Sequence, residues 1–430
     1  MRQTITILTT LAIFALAATA HAQTAFTGAE VHTVSGEVIE DGVVVVGEDG
    51  LIAQVGPADT EVPAGADVVG AAGKVITPGF VDAQTRLGVV ELWSEQRTRD
   101  YDAGGEDPVR AAFRVADGFN PNSTAIPVTR SGGVTSALVV PGGGLVSGQA
   151  AWASLGPVSG SKAGVKAHIE TEAAAVVINH GESGARAAGG SRGSAMESLR
   201  ELYDDVRFYG DNLDDYNKNR SRKLAASRLD LLVLSRTADG RLPVMFRVNR
   251  SSDISAVLRL ADEVGVRPII VGGAEAWQVA DKLAERQVPV IVDPLSNLPT
   301  RFATLGARAD NAAILASAGV PVILSTFGTH NVRKLRQVAG NAVRAGMGYD
   351  AALEAVTRSP ARALGRDDIG TIEVGKRADL VVWSGDPFEL STKVDAFYVG
   401  GQSVELDNRQ KQLFERYRQL PRREAAAPAD

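Results

Sequence analysis

The sequence predicts an α/β fold: a (β/α)8 TIM-like barrel carrying a small β-sandwich domain assembled from both chain ends. Three observations lead there. Across residues 78–370, short Val/Ile-rich runs alternate with amphipathic helical patterns, the texture of a parallel sheet covered by helices. The flanking stretches, 23–77 and 371–406, hold strand runs and turns without helical periodicity. The 430 residues, 44% hydrophobic and 22% charged, suffice for one large domain and a smaller one.

Taken in order, residues 1–22 (MRQTITILTTLAIFALAATAHA) have one Arg, an apolar stretch and Ala20-His21-Ala22 at the end. This is the layout of a signal peptide cleaved after Ala22, which makes the protein exported, periplasmic or secreted. Retention as an anchor is the alternative, although the apolar run is short for a span of ~20 residues. No later run is apolar enough to span a bilayer, so no membrane association is expected after cleavage. Cysteine is absent, which removes disulfides, thiolate metal sites and cysteine nucleophiles. A formal charge of −6 gives no electrostatic case for nucleic acid.

VVVV at 43–46, the turn GEDG and LIAQVG read as a hairpin. VTSALVV (134–140), PVMFRV (243–248), VRPIIV (266–271), VPVIV (288–292) and VPVIL (320–324) are the apolar runs of the barrel. The intervening DISAVLRLADEVG places Ile254, Val257, Leu258, Ala261 and Val264 at helical spacing. Ser252 or Asp253 is the expected cap and Gly265 the expected stop. GESGARAAGGSRGS (181–194) reads as a loop, either mobile or gripping an anion, before a polar helical stretch to about Leu234. ADLVVWSG and DAFYVGGQSV are strands with no place in a closed barrel, so they pair with the N-terminal ones. Residues 407–430 form a charged helical tail with a frayed end.

PGGGLVSGQ (141–149) lacks the Lys and Ser/Thr of a phosphate-cradling loop and reads as a tight turn that brings backbone to the barrel mouth. No G-x-S-x-G signals a serine nucleophile.

With GEDGLIAQVG, VITPGFVDA, SGGVTSALVVPGGGLVSGQ, DISAVLRLADEVG, AGVPVILST, SPARALG and GTIEVGKRADLVVW in this order, the chain resembles the amidohydrolase superfamily, in its imidazolonepropionase-like branch of exported members. The resemblance implies metal-dependent hydrolysis of non-peptide carbon–nitrogen bonds, with Zn²⁺ or another divalent ion activating water. It also implies ligands at strand ends: a His-x-His after the first strand, a His ending the fifth, a His ending the sixth and an Asp ending the eighth. This sequence has Gln84 and Arg86, Arg247, Gly272 and Phe327 at those places. A guanidinium has no lone pair to offer, and Gly and Phe offer no side-chain donor. No metal cofactor is therefore expected, and no catalytic residue is assigned.

His330, just past the eighth strand, is the best-placed surviving histidine for a relocated ligand or base. His32, His168 and His180 are too scattered to form a ligand set, with the last two flanking one strand. Arg86 and Arg247 restore two positive charges where a dication is implied. They require compensation, either by an internal plug of carboxylates (Asp82, Glu91 or Asp293) or by a bound small anion. The functional readings are a non-catalytic paralogue or partner, a hydrolase with relocated or no metal ligands, and a small-anion binding protein. Partners expected are a second copy, an active paralogue, or a small anion.

Overall fold

The computed structural model describes residues 23–157 and 168–418. The expected export segment and the end of the tail lie outside the described residues. The chain opens with β1 (Thr24–Val31), β2 (Ile39–Val46), β3 (Ile52–Gly56), β4 (Asp67–Gly70) and β5 (Val75–Pro78). Then come β6 (Phe80–Thr85), β7 (Val134–Val139), β8 (Val146–Ser154), β9 (Ile169–Asn179), β10 (Val244–Val248), β11 (Pro268–Gly272), β12 (Val290–Val292) and β13 (Val322–Leu324). Three strands close the series: β14 (Leu380–Trp383), β15 (Val394–Val399) and β16 (Gln402–Ser403).

The outer strands build one mostly-β domain from both ends of the sequence, in the order β16-β15-β14-β5-β1-β2-β3 with β4 beside β1. The joint is the antiparallel pair β14–β5, where Val382 lies opposite Ile76. Phe26, Val44, Ile76, Leu380 and Tyr398 make its core, with Phe26 and Tyr398 edge-to-face at 5.0 Å. The 43–56 hairpin forms as expected, turning through Gly50 at φ 78°.

The eight inner strands form the barrel sheet in sequence order, β6 to β13. One runs against the others: β8 is antiparallel to both β7 and β9. The reason is the short Gly-rich turn after β7, with Gly143 at φ 82° and Gly144 at φ 62°. A parallel return needs about a dozen residues of crossover, and this turn has too few. β13 and β6 meet without a ladder. Asp82, fully buried, joins them instead, accepting from the Ser325 and Thr326 hydroxyls, the Thr326 N–H at 3.2 Å and the Gln84 N–H at 3.3 Å. Its role in the fold is closure of the barrel.

Two local expectations need correction. The helix Ser251–Val264 buries Ile254, Val257, Leu258 and Ala261 and stops at Gly265 (φ 78°), but neither Ser252 nor Asp253 caps it. Its N-cap is Arg250, without a side-chain bond, and Asp253 instead pairs with Arg192 at 2.7 Å. The expected loop 181–194 contains the short helix Glu182–Ala187 and the start of the helix Arg192–Asp211. Gly184 allows the first of these to sit on β9, since a Cβ there would lie 1.8 Å from the Asn179 carbonyl oxygen. In the tail, Arg409–Tyr417 is helical as expected.

Candidate functional site

The strands β9–β13 end at a cavity of about 880 Å³, which is the barrel's C-terminal face. This is the face where barrels place ligands. Gln84, Arg86, Arg247, Gly272 and Phe327 all line it. His330 does not: it is exposed, and its Nε2 donates to the Glu91 carbonyl at 2.8 Å. A second cavity of about 680 Å³, touching Pro243, Pro268, Pro289 and Pro321, lies at the opposite end, where the strands start.

Arg86 extends from the end of β6 and stacks on two rings, 3.9 Å from the centroid of Tyr101 and 5.2 Å from that of Trp93. The stacking covers its faces and leaves its edge donors available. Arg247, at the end of β10, donates to the Pro141 carbonyl at 2.8 Å. Arg86 reaches the next residue, with its Nη2 3.3 Å from where a Gly142 Cβ would be. The Gly-rich turn therefore gathers two guanidinium groups at one point. Burial lowers both pKa values. For Arg86 the lowering is opposed by Tyr101 and Asp102. For Arg247 the charge of Arg86 adds to it, bringing the group down to about 9 and still leaving it cationic at neutral pH.

The carboxylate plug is not there. Asp82 is committed to barrel closure. Glu91 accepts from Asn120 Nδ2 at 2.8 Å and Ser123 Oγ at 3.0 Å. Asp293 does line the cavity, but its oxygens accept from the Leu295 N–H and the Ser296 hydroxyl at 2.9 and 2.8 Å. Burial raises its pKa against those bonds. Among the described residues, neither Arg86 nor Arg247 has a carboxylate within ion-pair distance.

Tertiary structure adds lining residues that sequence reasoning missed. Arg186, from the short helix over β9, and Arg301 and Arg308, from the segment after β12, bring the arginines in the lining to five, against the two carboxylates Glu182 and Asp293. In a chain of net charge −6 this concentrates positive potential in a concave mouth. Arg308 is held by Asp310. Arg186 had a signal, since it lies in the Gly/Ser/Arg stretch 181–194, whose two readings are a mobile loop and an anion grip. Tyr101 and Trp93 had none.

The donor set does not fit a divalent ion. Among the described residues no three His, Asp or Glu side chains cluster in a way that could hold one. His32 binds Glu30 at 2.6 Å, and His168 Nδ1 binds the Ser154 carbonyl at 2.9 Å. His180 is buried with its pKa lowered by burial, beside Asp253 and Arg192 and outside the cavity lining. The two guanidinium groups also repel a cation from the floor of the mouth.

Comparison with known proteins agrees with this architecture. Residues 243–404 match the model of the amidohydrolase family. The amidohydrolase tasK of Hapsidospora irregularis is 24% identical over 386 residues, covering 83% of this chain and 39% of the relative. An imidazolonepropionase of Aromatoleum aromaticum is 47% identical over 85 residues, 18% of this chain and 21% of the relative. The chain thus spans well under half the length of each of these two. Among solved structures, an amidohydrolase from Thermotoga maritima superposes with a TM-score of 0.80 at 29% identity, covering 89% of this chain and 99% of that one. Molinate hydrolase, at 18% identity and a TM-score of 0.57 over 90% of this chain and 95% of that one, shares the fold.

Proposed function

We propose, from the premise that this chain belongs to the amidohydrolase superfamily, that it is a non-catalytic member whose barrel mouth binds a small anion. The observation that carries the reading is the pair Arg86–Arg247, gathered on the Pro141-Gly142 turn without a carboxylate partner among the described residues. Asp102 attracts Arg86 only from beyond ion-pair distance. Buried guanidinium groups without a paired carboxylate are costly, and an anion between their edges relieves both desolvation and mutual repulsion. Hydrolysis in the manner of the superfamily needs a metal-activated water, and Gln84, Arg86, Arg247, Gly272 and Phe327 supply no set of donors for the ion. We further propose that the protein is exported and works beside a second copy or an active relative, which co-purification tests.

Two measurements on the purified chain test the central claim. Elemental analysis after dialysis should find well under one equivalent of transition metal, and calorimetric titration should detect a small anion whose binding disappears in Arg247→Met. About one tightly held equivalent of Zn²⁺, with hydrolysis that depends on it, rejects the proposal in favour of a working hydrolase with relocated ligands.

A further inference from the structure

We infer that the ligand of the barrel mouth is a free α-amino acid with an apolar side chain, bound as a zwitterion. This rests on the anion-binding reading and adds what the cavity presents besides its arginines. Gln84 is 7% exposed and lines the cavity, and its Oε1 accepts no hydrogen bond from any described residue. A buried amide oxygen without a donor is strongly unfavourable, so a ligand offering N–H at that point is selected over one that does not.

The charges in the lining point the same way. Glu182 and Asp293 face the same volume as the arginines, and neither is in an ion pair with a described residue. A purely anionic ligand satisfies Arg86 and Arg247 but leaves Gln84 Oε1 without a donor and gives no cation to Glu182 or to Asp293, whose hydrogen bonds come from neutral groups. A carboxylate with an ammonium on the adjacent carbon matches both signs and donates N–H to Gln84 Oε1.

One stretch of the wall is apolar, set among polar side chains such as Asn249, Thr300 and Asn311. Leu295, Leu298 and Phe327 line the cavity and are 51%, 67% and 38% exposed. Phe327 has φ 50°, a left-handed conformation that a bulky aromatic adopts only when its surroundings hold it there. Its position on the rim, beside the Asp82–Ser325 closure, keeps its ring where a ligand side chain would lie. An apolar side chain covers this wall, and inorganic phosphate does not.

The test is calorimetric titration of the full chain with leucine and phenylalanine, alongside 4-methylpentanoate (no ammonium), isopentylamine (no carboxylate), N-acetyl-leucine (no charge on nitrogen) and inorganic phosphate. Leucine or phenylalanine should bind at least tenfold more tightly than every analogue, and Gln84→Leu should cost leucine at least tenfold while leaving 4-methylpentanoate unchanged. Equal binding of 4-methylpentanoate, tighter binding of N-acetyl-leucine, or indifference to Gln84→Leu overturns the amino-acid assignment and leaves the anion reading standing. Binding of neither a carboxylate nor phosphate overturns both. The analogue series uses the unaltered protein, so it decides even if Gln84→Leu folds poorly.

Discussion

Replacing Arg247 by Met should make the ligand-free protein more stable while removing its anion binding. The drop of the Arg247 pKa to about 9 from the ordinary guanidinium value, at about 1.4 kcal/mol per pH unit, corresponds to a penalty of about 5 kcal/mol on the buried charge. The group is only half-buried, and solvent screening reduces this to about 2–4 kcal/mol. Against that stands the charge-assisted bond to the Pro141 carbonyl, which contributes about 1.5–3 kcal/mol. Met keeps the apolar stem, removes the repulsion from Arg86 and leaves one carbonyl to water. The mid-values leave a gain of about 1 kcal/mol. With an unfolding entropy of about 2.1 cal/mol/K per residue, a chain of this length should show a rise in Tm of about 1 °C by calorimetry in chloride buffer. A fall of more than about 2 °C would mean that the charge has a counter-ion within the protein, and the anion-binding argument would fail with it.

Other consequences follow from the same geometry. Burial lifts the Asp82 carboxyl to about 6, against its hydrogen bonds. Its folded pKa is thus above the unfolded value, so its stabilising contribution is complete below about pH 4 and lost as pH rises through 6. Denaturant unfolding should therefore show the stability of wild type minus that of Asp82→Asn falling by up to about 3 kcal/mol between pH 4 and 6.5; a flat or rising difference refutes the assignment. Gly133 is at φ 79°, and a Cβ there would lie 2.2 Å from the buried Trp383 ring. Trp383 also donates to Thr77 Oγ1 at 2.9 Å, so Gly133→Ala strikes the seam between barrel and β-domain. It should lower stability by at least about 3 kcal/mol in urea, and near-normal stability would contradict the packing described. Phe327→Asn should relieve about 1 kcal/mol of left-handed strain, giving a slightly higher Tm and weaker leucine binding. Unchanged binding would remove Phe327 from the site.

The apolar runs at 244–248, 268–272, 290–292 and 322–324 were legible because a strand buried on both faces needs continuous Val and Ile. The strand β8, VSGQAAWAS, was not: its Gly, Ser, Gln and Ala residues carry little strand preference, and neighbouring strands impose its extended form. The N-cap of the 251–264 helix differs from expectation for a related reason, while Gly265 ends the helix as expected. Asp253 has a local use as a cap and a distant one as a partner for Arg192, and only packing chooses between them.

The order of residues alone determined the kinds of element, the division into a barrel and a domain built from both ends, and the chemistry at the strand ends. Periodicity and side-chain type are local properties, so Arg at 86 and 247 excluded ligation of a metal by those two residues before any contact was known. Tertiary structure decided the reversed strand, the closure of β6 on β13 through residues 243 apart, the stacking of Arg86 on Tyr101, and the carboxylates Asp82 and Glu91 being spent elsewhere. Charge pairing and desolvation are relations between groups brought together from distant parts of the chain. That is why the sequence left the choice between a plug and a ligand open, and why the fold leaves two guanidinium groups without a carboxylate in ion-pair distance among the described residues.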